Sequence, residues 1–469
     1  NWTWSYDWLG RTTQAVDPDT GTTTTTYPTT SGTEPTAVQV TNPDGVTKTT
    51  YDKLGRPTKR QTGASTSTLE TVATWSYDTA TPNGLGQVHR TTAIVPTGSP
   101  DAGSKFVTTV AGYTELGNPT KVTESYPATW TGQNATSNSA SGLSGMVDVP
   151  VSFTYDLAGD PKTITYPEIE ASGSLMPQTT VAYIKTPETG SPASITAQLG
   201  SSSQTAVLAT YGYTNIGQIK TLTSADTGPA GTTTKPTFER RYSYDTALGR
   251  TDSITATIDP DGTGSAAADT RYTLGYTYDR HDNPTQILRT AKTTASGTTT
   301  TTSGRSCFTY DALNRLVTAT DQVLTATAAP NCGESVSGMT TVYDYTYTYE
   351  STGDRLTTIT SKATSTNQSV GYTYGSTGAP HRLTDITNPA TTPDPFLPKA
   401  GTQTWNNAGR VTTAAPATGA ATTYTYDKQG RLITTTRGTQ ATHNVYDTDG
   451  LRISRRTTTN NPNPTRVIY

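Results

Sequence analysis

Aromatic residues recur at alternate positions on segments otherwise built of threonine and serine, as in Tyr424-Thr425-Tyr426 and Trp2-Thr3-Trp4-Ser5-Tyr6. A spacing of two puts the rings on one face of an extended strand and the hydroxyls on the other. Punctuation follows the last ring: Tyr426-Asp427-Lys428-Gln429-Gly430-Arg431, after which Leu432, Ile433, Thr434 and Thr435 resume the alternation. An aspartate opening a type I turn accepts a backbone N–H two residues on, and a glycine just after the turn takes left-handed backbone at least cost. The stretch therefore predicts a β-hairpin closed by a type I turn with a glycine bulge.

The same grammar is written at Tyr6-Asp7 with Gly10-Arg11, Tyr51-Asp52 with Gly55-Arg56, Tyr155-Asp156 with Gly159, and Tyr244-Asp245 with Gly249-Arg250. It returns at Trp405 with Gly409-Arg410, and at Tyr446-Asp447 with Gly450. In Tyr310-Asp311-Ala312-Leu313-Asn314-Arg315 an asparagine stands at the glycine position, and after Tyr278 it is Asp282. Both tolerate left-handed backbone better than most residues, so the substitutions follow the turn's own rules. With looser copies at Tyr77, Tyr113, Tyr213, Tyr349 and Tyr374, the aromatic anchors number 14, separated by 20 to 58 residues.

No stretch sustains helical periodicity and prolines interrupt most candidates, so almost no helix is expected. Residues 131–145, rich in Ser, Asn and Gly, read as a surface loop. Tyr343, Tyr345, Tyr347 and Tyr349 form the longest same-face aromatic row, and such rows are expected to be core. Hairpins with elastic connections do not stack as a fixed-length solenoid; they extend one sheet that curls as twist accumulates. The expected architecture is all-β, a single region over residues 1–469 of tandem hairpins whose sheet encloses a space.

Composition sharpens this picture. Only 31% of the 469 residues are hydrophobic, and 27 Tyr stand against 5 Phe and 3 Met, which predicts an aromatic, partly polar interior. With 34 basic and 37 acidic residues, the net charge is −3 and no basic surface for nucleic acid is written. No run of 18 apolar residues can span a membrane. The chain opens at Asn1 without a methionine, which suggests a processed product or an excerpt. Cys307 and Cys332 are the only cysteines, and the sequence leaves a disulfide and two buried thiols equally open.

No enzymatic constellation converges, so a non-enzymatic protein without a cofactor is expected. The repeat aspartates are explained by the turn, and the arginines by local pairing along the strand edge. His89, His281, His381 and His443 have no metal-ligand spacing. Asn42-Pro43-Asp44-Gly45 and Asp259-Pro260-Asp261-Gly262 echo a calcium loop but lack its remaining ligands, and read as tight turns. The sequons at Asn1, Asn134 and Asn367 arise easily by chance in a threonine-rich chain.

At these Tyr-Asp and Gly-Arg pairs the chain resembles the YD-repeat, or RHS-repeat, family along nearly its whole length. The resemblance implies a sheet spiralling into a hollow shell, which in bacterial members encloses a C-terminal toxin or other cargo for delivery to competing cells. The threonine-rich, lysine-poor style resembles secreted proteins of high-GC Gram-positive bacteria. That implies a secreted or cell-wall-associated setting, and with it a disulfide between Cys307 and Cys332. The chain stops at Tyr469 before the segment that closes the shell in the family and carries its self-cleavage aspartates, so neither autoproteolysis nor toxicity is assigned. Two rivals stay open: adhesion to cell-surface glycans through exposed aromatics and arginines, and a filament built through open sheet edges.

Overall fold

A computed structural model describes residues 2–468 except 29–35, 132, 135, 137–138, 172–173, 188, 203–204, 226–236, 260–268, 296–297, 325–328, 335–336, 352, 354, 363–366, 376–378, 389–393, 395–396 and 459–464. Asn1, Tyr469 and the turn residues Pro260, Asp261 and Gly262 thus lie outside the described residues. Among the described residues, thirty-three strands join one antiparallel sheet, and Ile169–Ala171 with Ser174–Met176 form a separate two-stranded ribbon. Strands adjacent in sequence pair in runs, as Ala37–Asn42, Gly45–Tyr51, Pro57–Gly63 and Glu70–Tyr77 do, which is the short-range topology that tandem hairpins dictate, and Pro161–Tyr166 pairs past the ribbon with Thr179–Lys185. The helical content among the described residues is one turn at Ala128–Thr131 and a 3-10 turn at Thr66–Thr68.

The two faces of the strands divide as their side chains do. One face carries threonine hydroxyls paired across strands, Thr154 with Thr163 and Thr309 with Thr318 at 2.6 Å, and Thr404 with Thr412 at 2.9 Å. The other carries rings: Tyr343 and Tyr345 stack with centroids 5.0 Å apart and Tyr345 is buried.

Two compact units are distinguished. The first comprises Asn1–Phe153, Tyr372–Thr387 and Lys399–Tyr469. It therefore has an N-terminal arm and a C-terminal arm, and its core draws on both: Ala93, Val95, Phe106, Tyr126 and Trp130 pack with Val445 and Ile453. Trp130, the residue just before the segment read as a surface loop, packs into this core. The loop itself is partly folded in: Asp148 accepts from the Ser125 and Ser139 hydroxyls and the Ala140 amide, and Ser141 is buried. A single carboxylate collecting local donors leaves no alternation for a sequence to display.

The second unit comprises Thr154–Gly371 and Asn388–Pro398. Polar locks supplement its thin apolar interior. Arg289 makes a two-point contact with Asp321 at 2.6 and 2.8 Å, and the Ser306 hydroxyl donates to the same carboxylate. Asp394 accepts from Tyr345 and Ser361, pinning its segment to the sheet. Cys307 and Cys332 form a disulfide with Cα atoms 6.0 Å apart.

Candidate functional site

The repeated turn is the one constellation that recurs throughout the molecule. At Asp52, Oδ1 accepts the amides of Leu54 and Arg56, both at 2.9 Å, while Oδ2 takes the Arg56 Nε at 2.7 Å. The Gly55 amide donates to the Asp52 carbonyl and the Asp52 amide to the Arg56 carbonyl, closing the turn. Gly55 has φ +76°, and the strand register slips by one between Thr50 and Tyr51, which is the glycine bulge. The same three carboxylate contacts recur at Asp7, Asp311 and Asp427, with Arg11, Arg315 and Arg431 at 2.7 Å. Asn314 occupies the left-handed position at φ +59° and Asp282 at +66°, alongside Gly10, Gly159, Gly249, Gly409, Gly430 and Gly450.

Four turns vary the theme. Asp245 takes the Arg250 Nε at 2.8 Å across a turn one residue longer. Asp447 caps its turn through the Asp449 and Leu451 amides. Asp156 caps Ala158 and Asp160 and takes Lys185 Nζ at 3.0 Å in place of an arginine. Lys185 itself opens a turn that the aromatic pattern does not reveal: the Thr186 amide bonds to the Ser191 carbonyl and Gly190 has φ +69°.

Turn is coupled to turn by two contacts that no single repeat displays. The guanidinium lies over the ring of the next anchor: Arg11 over Tyr27 at 4.1 Å, Arg56 over Tyr77 at 4.3 Å, Arg315 over Tyr349 at 4.6 Å and Arg431 over Tyr446 at 5.1 Å. The tip of that anchor then reaches back to the carbonyl one residue past the arginine position. Tyr77 donates to Pro57, Tyr310 to Pro284, Tyr426 to Val411, Tyr446 to Leu432 and, through its indole N–H, Trp405 to Leu383. Tyr27, Tyr113, Tyr213, Tyr244, Tyr278 and Tyr349 make the same bond. A tyrosine suits this post because its ring packs while its hydroxyl keeps a partner.

The ladder begins in the open. Trp2, Trp4 and Tyr6 are more than half exposed, unlike the buried rows expected of same-face rings; among the described residues the strand Thr3–Tyr6 pairs with Thr12–Asp17 alone and no guanidinium covers Tyr6. Tyr51 and Tyr155 are half-buried.

The electrostatics are those of a staple. The Arg56 and Arg315 amides, then the guanidiniums, hold Asp52 and Asp311 below the ordinary carboxylate value against partial loss of solvent. Arg250 does the same for Asp245 and Lys185 for Asp156. Burial pushes most anchor tyrosines up, Tyr77 and Tyr446 among them. Among the described residues no three of His, Cys, Asp and Glu gather as metal ligands, and no helix is long and apolar enough to cross a membrane. What the repeated turn does chemically is tie one hairpin to the next, as at Arg56 and Tyr77.

The family model of the RHS repeat matches residues 405–442. No curated protein matches the sequence. Among solved structures, the TcdB2-TccC3 complex superimposes on the whole chain with a TM-score of 0.70 at 18% identity, the chain covering 22% of that protein. TcdB2-TccC3-Cdc42 gives 0.69 at 19% identity, over 100% of this chain and 21% of that one. The Photorhabdus luminescens Tc holotoxin pore with a TccC3 mutation gives the same values. The chain thus has the all-β fold of these proteins and spans about a fifth of their length.

Proposed function

We propose that this chain, which carries an RHS repeat at residues 405–442, is wall material of an encapsulating shell that sequesters a C-terminal toxin or other cargo outside the producing cell. The observation that supports this most is the likeness in fold of all 469 residues to 22% of the TcdB2-TccC3 chain. The chemistry agrees: the repeated turn spends its charged groups on joining hairpins, as a wall requires and a catalyst does not. A continuous sheet satisfies its own backbone and offers proteases few unpaired edges. The role is non-enzymatic, and the work is exclusion.

The test is protease protection in the full-length secreted protein. A segment downstream of residue 469 should resist protease until the shell is denatured. Digestion of that segment at the rate of the isolated peptide, with the repeat region intact, contradicts it.

A second reading, glycan binding, is favoured by one feature of the second unit. A groove of about 930 Å³ runs past Tyr213, Tyr242, Tyr244, Lys220 and Arg241. Rings and cations at such a surface can stack on sugars and hold their hydroxyls. A glycan array with the Tyr242→Ala variant as control tests it: saccharide signal lost in the variant supports binding, and no signal in either protein rejects it.

A further inference from the structure

Most arginines that end a repeat turn are held by the acid that opens it. Arg11, Arg56, Arg315 and Arg431 meet their own aspartates at 2.7 Å, and Arg355 meets Glu350 at 2.7 Å. Two arginine-ended turns of the first unit, among the described residues, lack that acid. Asn406 follows Trp405 and Gly375 follows Tyr374, yet Arg410 and Arg382 end those turns. The Asn406 side-chain oxygen still accepts the Arg410 amide at 2.9 Å, so the turn is kept while the guanidinium is left without a carboxylate at home.

Both arginines go to the other arm of the unit. Arg410 Nε donates to Asp44 Oδ2 at 2.9 Å, and the Asp44 side chain is 5% exposed. Arg382 Nε donates to the Asp19 carbonyl at 2.8 Å, and its Nη2 joins the same oxygen. Beside it the His381 amide and ring nitrogen meet the Asp19 carboxylate at 2.9 and 2.6 Å. Asp19 and Asp44 sit at the hairpin ends opposite the repeat turns, and Asp44 belongs to the stretch that echoes a calcium loop.

Backbone approach at the same place is a separate sign of fit. A Cβ on Gly409 would lie 2.8 Å from the Asp19 carbonyl, and one on Gly21 would lie 3.4 Å from the Asn407 carbonyl. The far end of the seam is held differently, by the Trp130 cluster and by Arg466 on Asp101 at 2.9 and 3.0 Å.

We propose that Arg382 and Arg410 form a latch clamping the C-terminal arm of the first unit onto its N-terminal arm, and that the missing in-turn carboxylate is what releases them for it. An acid at the opening position recaptures the guanidinium; a neutral residue there sends it across. The latch joins arms through side chains, so it opens without breaking a strand ladder.

Amide hydrogen exchange on the full chain tests this with three variants. Asn406→Asp restores the in-turn acid. It is expected to speed exchange in the loops 17–21 and 42–45 about fivefold or more, while the turn 406–410 stays protected. Asp44→Asn gives the same acceleration, and the two combined give no more than either alone. Asn406→Thr keeps those loops near wild type. Threonine already fills this position at Thr114 and Thr214, where its hydroxyl accepts the closing amide of Asn118 and Gln218 at 3.1 Å, and a hydroxyl carries no charge to hold a guanidinium. Unchanged exchange in both Asn406→Asp and Asp44→Asn overturns the latch. Acceleration in Asp44→Asn alone overturns the role given to the missing carboxylate.

Discussion

The guanidinium of Arg56 lies 4.3 Å from the centre of the Tyr77 ring while its Nε holds Asp52 at 2.7 Å and its two terminal nitrogens hold Asp78 at 2.9 Å. One side chain thus binds the acid of its own turn, the ring of the next anchor and the acid of the next turn. Lysine cannot reproduce this planar fork. Arg56→Lys and Arg56→Ala are therefore both expected to speed amide exchange at the 52–55 and the 78–86 turns. Acceleration confined to the 52–55 turn contradicts the coupling.

The tyrosine tips make a separable prediction. Tyr77→Phe keeps the ring under Arg56 and removes only the 2.8 Å bond to the Pro57 carbonyl. It should cost about 0.5–1.5 kcal/mol, read as a lower denaturant midpoint with an unchanged slope. Tyr446→Phe, which loses a 2.7 Å bond to Leu432, should cost a similar amount. A Tyr6→Phe control, at a ring with no such bond, should leave the midpoint where it is.

The glycines grade by what surrounds them. At Gly55, φ is +76° and no atom lies near the added Cβ, so Gly55→Ala should cost about 1–2 kcal/mol from backbone strain alone. At Gly430 an added Cβ collides with the Arg410 guanidinium, so Gly430→Ala should cost more and also disturb the Asp44 contact. Gly55→Asn should be milder than Gly55→Ala, because Asn314 holds the equivalent post at φ +59°. Equal costs at Gly55 and Gly430 would count against this placement of Arg410.

Much of this was legible in the chain and some was not. The turn is local: an acid, a left-handed residue and a re-entering strand lie within six positions, so Tyr51 to Arg56 reads directly as a hairpin end. The turn at Lys185 escaped because lysine stands where an aromatic marks the others. Tyr27 escaped because no acid-to-arginine turn follows it, although its ring lies under Arg11. The pairing of Arg410 with Asp44 spans 366 positions and depends on which loops the sheet brings together. Its one local trace is an asparagine where an aspartate is the rule.

Acid should weaken the protein in a defined window. Asp52, Asp156, Asp245 and Asp311 have folded values below the ordinary one, so each favours the folded state above the unfolded carboxylate value of about 3.9. That support is lost as pH falls through the lowered folded values. The denaturant midpoint should be flat from about pH 7 to 5 and decline below about pH 4. Asp52→Asn should decline less steeply, and a midpoint constant down to pH 3 would contradict the staple electrostatics.

Electron cryo-microscopy of the full-length protein puts the claim of enclosure to its most direct test. The expected image is a shell walled by these repeats, with the aromatic anchors lining it and density for downstream chain inside. A solid particle, or repeats laid out with the downstream chain free in solvent, would contradict it.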